Sequence, residues 1–284
     1  MDVMDAELPT NLTSQVLNGL FIPPCPATLT AIMQEAAQPE TNLTRVVQLI
    51  NQDAGMVAPL LKLANSPFVG LRTKVTSVLQ ATSVLGMKNT VNLVRNIALR
   101  QSLKGDGQSF EKFWERSSLT AALAEKLAAK FPTVSRDDAY VAALFHDSGI
   151  PVLMQKFPDY RKTVMAGSKA GVPLIETENT HFQTNHAVVG NLLTRIWGLP
   201  SQVYRAILYH HDTTIFESSR DIERKSICDL IGVIHMAECI VDEHLHVRDM
   251  EWPAVAQSVL KHFELSEQEF HEIKSDMLAY LNGE

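Results

Sequence analysis

Long apolar runs are missing from this 284-residue chain. No stretch approaches the roughly 20 residues needed to cross a bilayer, so no membrane association is expected. Cysteine is scarce. Cys25, Cys228 and Cys239 are too few and too scattered for a disulfide frame or a thiolate zinc site, which fits a reducing cytosol. The N-terminal MDVMDAELPT has neither the basic start nor the apolar stretch of a signal peptide, so a cytoplasmic location is expected. No Lys/Arg-rich run offsets the net charge of −7, which disfavours a nucleic-acid partner. Alternating strand patterns, internal repeats and low-complexity tracts are absent too. The 45% hydrophobic and 20% charged content is nonetheless ordinary for a globular chain and excludes wholesale disorder.

What is present is helical spacing. Val188, Val189, Leu192, Leu193, Ile196 and Trp197 repeat at helical intervals, with a stop at Gly198 and Pro200 suited to the next first turn. Ser266 with Glu269 has the form of a capping box, and Ser135 with Asp138 approximates one. The pattern predicts an all-α chain of about 13 helices in a two-lobed bundle. The expected layout is a tail over residues 1–12, an N-terminal helical lobe over 13–107, and a second helical lobe with a C-terminal helical extension over 108–284. The polar stretch Lys104-Gly105-Asp106-Gly107-Gln108-Ser109 marks the boundary, and Asn65-Ser66-Pro67-Phe68-Val69-Gly70 breaks two helices of the first lobe. Helices bearing Lys88, Asn89, Arg95 and Arg100 beside a turn could suggest a helix-turn-helix DNA reader. Ordinary surface charge on a bundle is the simpler reading in an acidic chain.

The chemically loaded feature is His146-Asp147, which follows the small and apolar run Ala139–Phe145. The spacing predicts a buried helix that carries the pair and ends at Ser148-Gly149. An ionised carboxylate there costs several kcal/mol unless it is paired or binds a metal. Imidazole with carboxylate suits zinc, manganese or iron. Further donors fall on other helices. His186 starts the helix ending at Trp197. His210 lies on the stripe Val203, Ala206, Ile207, which turns His211 about 100° away, toward solvent. Glu238 lies within or at the edge of the stripe Ile227, Leu230, Ile231, Ile234, Val241, with His235 one turn before it. His181, His244, His246, His262 and His271 are expected to be solvated. Each inward histidine alone could be a hydrogen-bonded core residue; four helices each presenting a donor is the stronger signal.

These segments resemble the HDOD proteins, a branch of the HD phosphohydrolase superfamily found mainly in bacterial signalling. The likeness rests on Ile22-Pro23-Pro24, Ile50-Asn51-Gln52-Asp53, Leu61-Lys62-Leu63-Ala64-Asn65-Ser66 with Phe68 and Gly70, and Ala81-Thr82-Ser83-Val84-Leu85-Gly86. It continues through Phe113-Trp114, Ala143 to Gly149, His186 with Gly190, Trp197-Gly198-Leu199-Pro200 and His210-His211. It runs from about Leu17 to Asp212 and weakens beyond. The resemblance implies two helical lobes, the second HD-like. Active HD enzymes hold one or two divalent metals through a first His, the His-Asp pair, further histidines and a late Asp, and hydrolyse phosphate esters with a metal-activated water. By position, His146 and Asp147 match the central pair, and His186 with His210 or His211 the optional ligands of the two-metal branch.

Three departures qualify that expectation. Arg116 and Ser117 stand where the first His should be, Glu238 stands for the late Asp, and Ile150-Pro151 replaces a Lys after the His-Asp-x-Gly motif. Arg has no lone pair to give a metal. Its helix face, Phe113, Arg116, Ser117, Thr120, Leu123 and Leu127, allows it to point inward, where it would neutralise Asp147 or Glu238; the alternative is a side chain that snorkels to solvent. The leading expectation is therefore a non-catalytic signal-transduction module with a degenerate metal site formed by His146, Asp147, His186, His210, His211 and Glu238. No resident cofactor is expected, or at most a single Zn, Mn, Fe or Mg ion. Signalling proteins are the expected partners. The alternatives are a metal-dependent phosphohydrolase using Asp147, and a nucleotide sensor in which Arg116 clamps a phosphate.

Overall fold

Polar residues mark where the helices begin. The computed structural model describes residues 19–66, 73–103, 108–218 and 222–283. The N-terminal lobe holds α1 (Ala27–Ala36), α2 (Leu43–Gln52), α3 (Ala54–Ala64) and α4 (Val78–Ser102). The second lobe holds α5 (Gln108–Ala128), α6 (Arg136–Phe145), α7 (Gly149–Lys156), α8 (Tyr160–Lys169), α9 (Leu174–Phe182), α10 (His186–Ile196) and α11 (Ser201–Tyr209). A 3-10 turn (Thr213–Ser218) then leads to α12 (Ile222–His244), α13 (Trp252–His262) and α14 (Glu267–Asn282). No strand occurs among the described residues. Side chains of Asn42, Ser77, Ser135, Asn185 and Ser266 each accept a backbone N–H in the first turn, satisfying a donor the helix cannot satisfy itself. The Ser266–Glu269 box is reciprocal, whereas Ser135 only accepts from the Asp138 N–H.

The tail over residues 1–12, the boundary residues Lys104–Gly107 and Pro67–Gly70 lie outside the described residues. On either side of that boundary the core is continuous: one apolar cluster runs from Leu29 in α1 to Met277 in α14. Within it α5 and α6 pack on one another and on α12, α10 packs on α7 and α11, and α4 meets α6 across the seam between lobes. The Trp197 indole, edge-on to Phe145, donates to the Pro23 carbonyl at 3.0 Å and so ties the segment before α1 to the end of α10. At Gly86, φ of 79° interrupts α4, a conformation that glycine adopts without steric cost.

α12 is the axis of the site. From Ile227 to Asp242 every residue is buried, including Asp229, His235, Glu238 and Asp242. A helix buried all round must pair each of these polar groups internally.

Candidate metal centre

The central pair does not lie within a helix, as the sequence pattern suggests. α6 ends at Phe145, and His146, Asp147 and Ser148 form the turn before α7. The Ser148 N–H donates to the Phe145 carbonyl at 3.0 Å and the Ile150 N–H to the Asp147 carbonyl at 2.9 Å, so local backbone bonds close this turn. Gly149 fixes what the turn faces. A Cβ there would lie 2.1 Å from the His186 carbonyl oxygen, so only glycine lets the start of α7 touch the start of α10.

His186, His210 and His211 converge on one side of Asp147. His186 Nδ1 donates to Glu178 at 2.6 Å, and His210 Nδ1 donates to the Ile207 carbonyl at 2.7 Å. His211 Nδ1 faces Glu251 at 3.2 Å. These acceptors orient the rings so that all three Nε2 atoms point inward, where a proton on one of them bridges to the next. His186 Nε2 lies 2.7 Å from His211 Nε2, 3.4 Å from His210 Nε2 and 3.5 Å from Asp147 Oδ1. Burial lowers His210 well below the usual histidine value and brings His211 down to about 3, so both stay neutral. Burial alone would lower His186 as well, but the Glu178 carboxylate outweighs it and raises this imidazole. Glu178 is itself gripped by the Tyr160 hydroxyl and the His186 backbone N–H.

His211 is thus not solvent-facing. Its side chain is 12% exposed, because Glu251, from the connection between α12 and α13, covers it. His262 is not solvated either: its side chain is 5% exposed and Nε2 meets Asp229 at 2.7 Å.

The other side of Asp147 is built differently. His146 Nδ1 donates to the Ala143 carbonyl at 2.7 Å, while Nε2 faces Glu238 at 3.0 Å and Asp147 at 3.1 Å. Arg116 occupies the remaining space. Its Nη1 donates to Asp147 at 3.4 Å, Nη2 to Glu238 at 2.9 Å, and Nε to Asp242 at 2.7 Å, with Nη2 adding a second Asp242 contact at 3.1 Å. The Arg116 side chain is 26% exposed, so it turns inward rather than snorkelling. Burial would lower its pKa, but Glu238, Asp242 and Asp147 outweigh that and hold the proton firmly. Asp147 and Glu238 lie well below the usual carboxylate range, because His146 outweighs the burial that would raise them.

The donor sets decide where a metal fits. Two neutral imidazoles and a third, His186, that becomes neutral on giving up its second proton stand beside a carboxylate oxygen, a donor set that suits a divalent ion with room for water. The Arg116 side does not, because a guanidinium offers no lone pair and would repel a second cation. Both sides open on a cavity of about 570 Å³ with Arg116, Asp147, His210, His211 and Glu238 in its wall. Each nitrogen of the Arg116 fork already has a carboxylate partner, so most of its charge is spent within the site.

Three site residues escape the sequence reading: Glu178, Asp242 and Glu251. Glu178 lies on the stripe Leu174, Ile175, Phe182 and was legible as an acid on a core face. Asp242 sits one turn beyond Glu238, also legible. Glu251 lies between α12 and α13, where no periodicity exists to reveal it. His235 Nε2 donates to the His210 carbonyl at 2.6 Å, and its Nδ1 faces Glu238 at 3.5 Å.

Among solved structures, the chain is similar to an HDOD domain protein of unknown function from Geobacter sulfurreducens, with 20% identity, TM-score 0.75, and 96% and 95% of the two chains covered. It is also similar to a chain from Shewanella amazonensis named as a candidate phosphohydrolase, with 18% identity, TM-score 0.72 and 96% of each chain covered. At these identities the likeness establishes the fold alone. An uncharacterized protein of Treponema pallidum (strain Nichols) is 26% identical over 193 residues, 67% of this chain but 38% of that relative's own length. No helix among the described residues is long and apolar enough to cross a membrane. The HDOD domain matches residues 22–213, which include Arg116 and all of the pocket histidines except His235, and the chain therefore belongs to the HDOD domain family.

Proposed function

We propose that this chain is a cytoplasmic, non-catalytic HDOD signalling module in which Arg116 permanently replaces one cation of the HD centre. The observation that carries the reading is the guanidinium held by Asp147, Glu238 and Asp242 at 2.7–3.4 Å. A fixed cation balances these acids and locks α5 to α12 and to the His146-Asp147 turn. It cannot activate water. The His186, His210, His211 and Asp147 side fits one divalent ion, which would cross-link α10, the end of α11 and the central turn. Output then runs through helical surfaces contacted by signalling proteins. That the Treponema relative is more than twice as long as the matched segment supports a role as one part of a larger assembly.

A second reading is a one-metal phosphohydrolase. It is favoured by the three converging Nε2 atoms at the wall of an open cavity, where a bound metal would supply an activated water. Metal analysis of protein purified without chelator, with turnover of bis(p-nitrophenyl) phosphate measured on the same sample, separates the two. The module reading expects one divalent ion or none per chain and no turnover. Metal-dependent turnover abolished by Asp147→Asn overturns it in favour of the enzyme.

A further inference from the structure

A second group of donors lies on the Nδ1 side of His211, in the wall of the same cavity: His235, Glu238 and Glu251. His235 and Glu238 stand one turn apart on α12, both buried. Glu251 reaches them from the connection to α13. That connection is itself braced. Asp249 Oδ1 accepts from the Glu251 and Trp252 N–H groups at 2.8 and 2.9 Å, and Trp252 stacks on Phe270 of α14.

His235 Nε2 donates to the His210 carbonyl at 2.6 Å, so Nδ1 is the atom that this ring presents to the two acids. Nδ1 lies 3.5 Å from Glu238 Oε2 and 3.8 Å from Glu251 Oε2. No two of the three donor atoms are more than 4.8 Å apart. Donors held about 2.0–2.2 Å from a tetrahedral ion stand about 3.3–3.6 Å from one another, so a slight inward turn of Glu251 completes the spacing. Burial alone would lower His235, but Glu238 and Glu251 outweigh it and draw a proton onto Nδ1, which a cation replaces.

The built-in cation is turned elsewhere. Arg116 and His146 both meet Glu238 at Oε1, and the other Arg116 contacts go to Asp147 and Asp242. Glu238 Oε2 and Glu251 Oε2 face imidazoles instead: His235 for both, and His211 at 3.2 Å for Glu251. A cation on Oε2 therefore has the Glu238 carboxylate between it and the guanidinium.

We infer that His235 Nδ1, Glu238 Oε2 and the Glu251 carboxylate form a further divalent-cation site, separate from the His186 side, with the cavity supplying water to the open positions. One imidazole with two carboxylates is a harder donor set than three imidazoles and suits Mn²⁺ or Zn²⁺. The ion ties the α12–α13 connection, which brings Val247 and Met250 to the cavity wall, to the buried axis of the fold. It is taken up from added metal, beyond any ion that the His186 side keeps through purification. The site does not depend on whether the chain turns over a phosphodiester.

Titration of the full chain with Mn²⁺, with the free ion read by EPR, tests this. The wild type should bind an ion that His235→Gln does not; the glutamine amide can still meet the His210 carbonyl but has no counterpart of Nδ1. His186→Ala should keep that ion at the wild-type affinity. Glu251→Gln, which still accepts from His211, should weaken it by at least about tenfold and carries the test if His235→Gln does not fold. An ion count that His186→Ala leaves unchanged supports this site and counts only against the imidazole side. Equal Mn²⁺ uptake by the wild type and both His235→Gln and Glu251→Gln up to about 1 mM free ion overturns the assignment, as does loss of all binding in folded His186→Ala.

Discussion

Asp147 divides the centre into two halves that solve the same electrostatic problem by different chemistry. On one side its charge is met by Arg116, a cation that is covalently part of α5 and already engaged by Glu238 and Asp242. On the other side it faces three imidazoles whose Nε2 atoms converge, with His186 able to carry the proton that its His211 and Asp147 contacts require. The first half carries its cation permanently, whereas the second carries it as a proton on His186 that a metal ion from outside can replace. Identical neighbours can therefore produce a stability element and a ligand site within a few ångströms, according to whether the cation is built in or recruited.

The largest effect is expected from breaking the built-in half. Arg116→Ala leaves Glu238 and Asp242 buried without their counter-charge. It should lower unfolding free energy by about 3 kcal/mol, the lower end for an orphaned buried charge because the side chain is a quarter exposed. Urea unfolding reads this directly. Added divalent metal should recover part of the loss, since the freed acids can then share a cation; a loss under 1 kcal/mol would mean that the acids are solvated and the halves do not differ.

A smaller effect addresses the recruited half. Glu178→Gln keeps the shape around His186 but weakens the acceptor that orients its ring, and should reduce divalent-metal affinity by about 10–100-fold with little change in metal-free stability. Calorimetric titration with Zn²⁺ measures it. Unchanged affinity would show that the three imidazoles are a packed core cluster and not a ligand set.

The smallest effect serves as a control, a carboxylate–imidazole pair outside the centre. Burial alone would raise the Asp229 carboxyl, but His262 and Lys225 outweigh it and hold it below the usual range. A carboxyl with a lowered folded pKa contributes stability that is fully present above its unfolded value, near 3.9, and is lost as pH falls through the lower folded value. Asp229→Asn should cost about 1.5 kcal/mol at pH 6, and the variant should lose less stability than the parent as pH falls below about 4. Thermal unfolding between those conditions checks the sign, and equal acid sensitivity in both proteins would remove His262 and Lys225 as the cause.

How much of this was readable in the chain depends on whether a residue sits inside a regular element. The all-α class, the burial of Ala139–Phe145 and the inward faces of His210 and Glu238 follow from helical period, and the structure has each of them. Arg116 was placed by the same period on α5, where Ser117, Thr120, Leu123 and Leu127 are buried beside it. Period fails at ends. His146-Asp147 lies in a turn because α6 stops at Phe145, and His211 is covered by Glu251 from outside its own helix. Glu251 comes from a connection, whose path is set by the packing of α12 and α13 and by nothing local. Convergence itself is a tertiary fact: no spacing in the sequence places His186 against Gly149.

The hydrogen bond from the Trp197 indole to the Pro23 carbonyl bears on how the chain can be divided. A fragment designed to hold the histidine lobe alone would discard Pro23 and leave a buried indole N–H with nothing to receive it. The cut that looks natural in the sequence therefore runs through a fold in which each part closes the other, and isolated-lobe experiments would report on a different, wounded molecule.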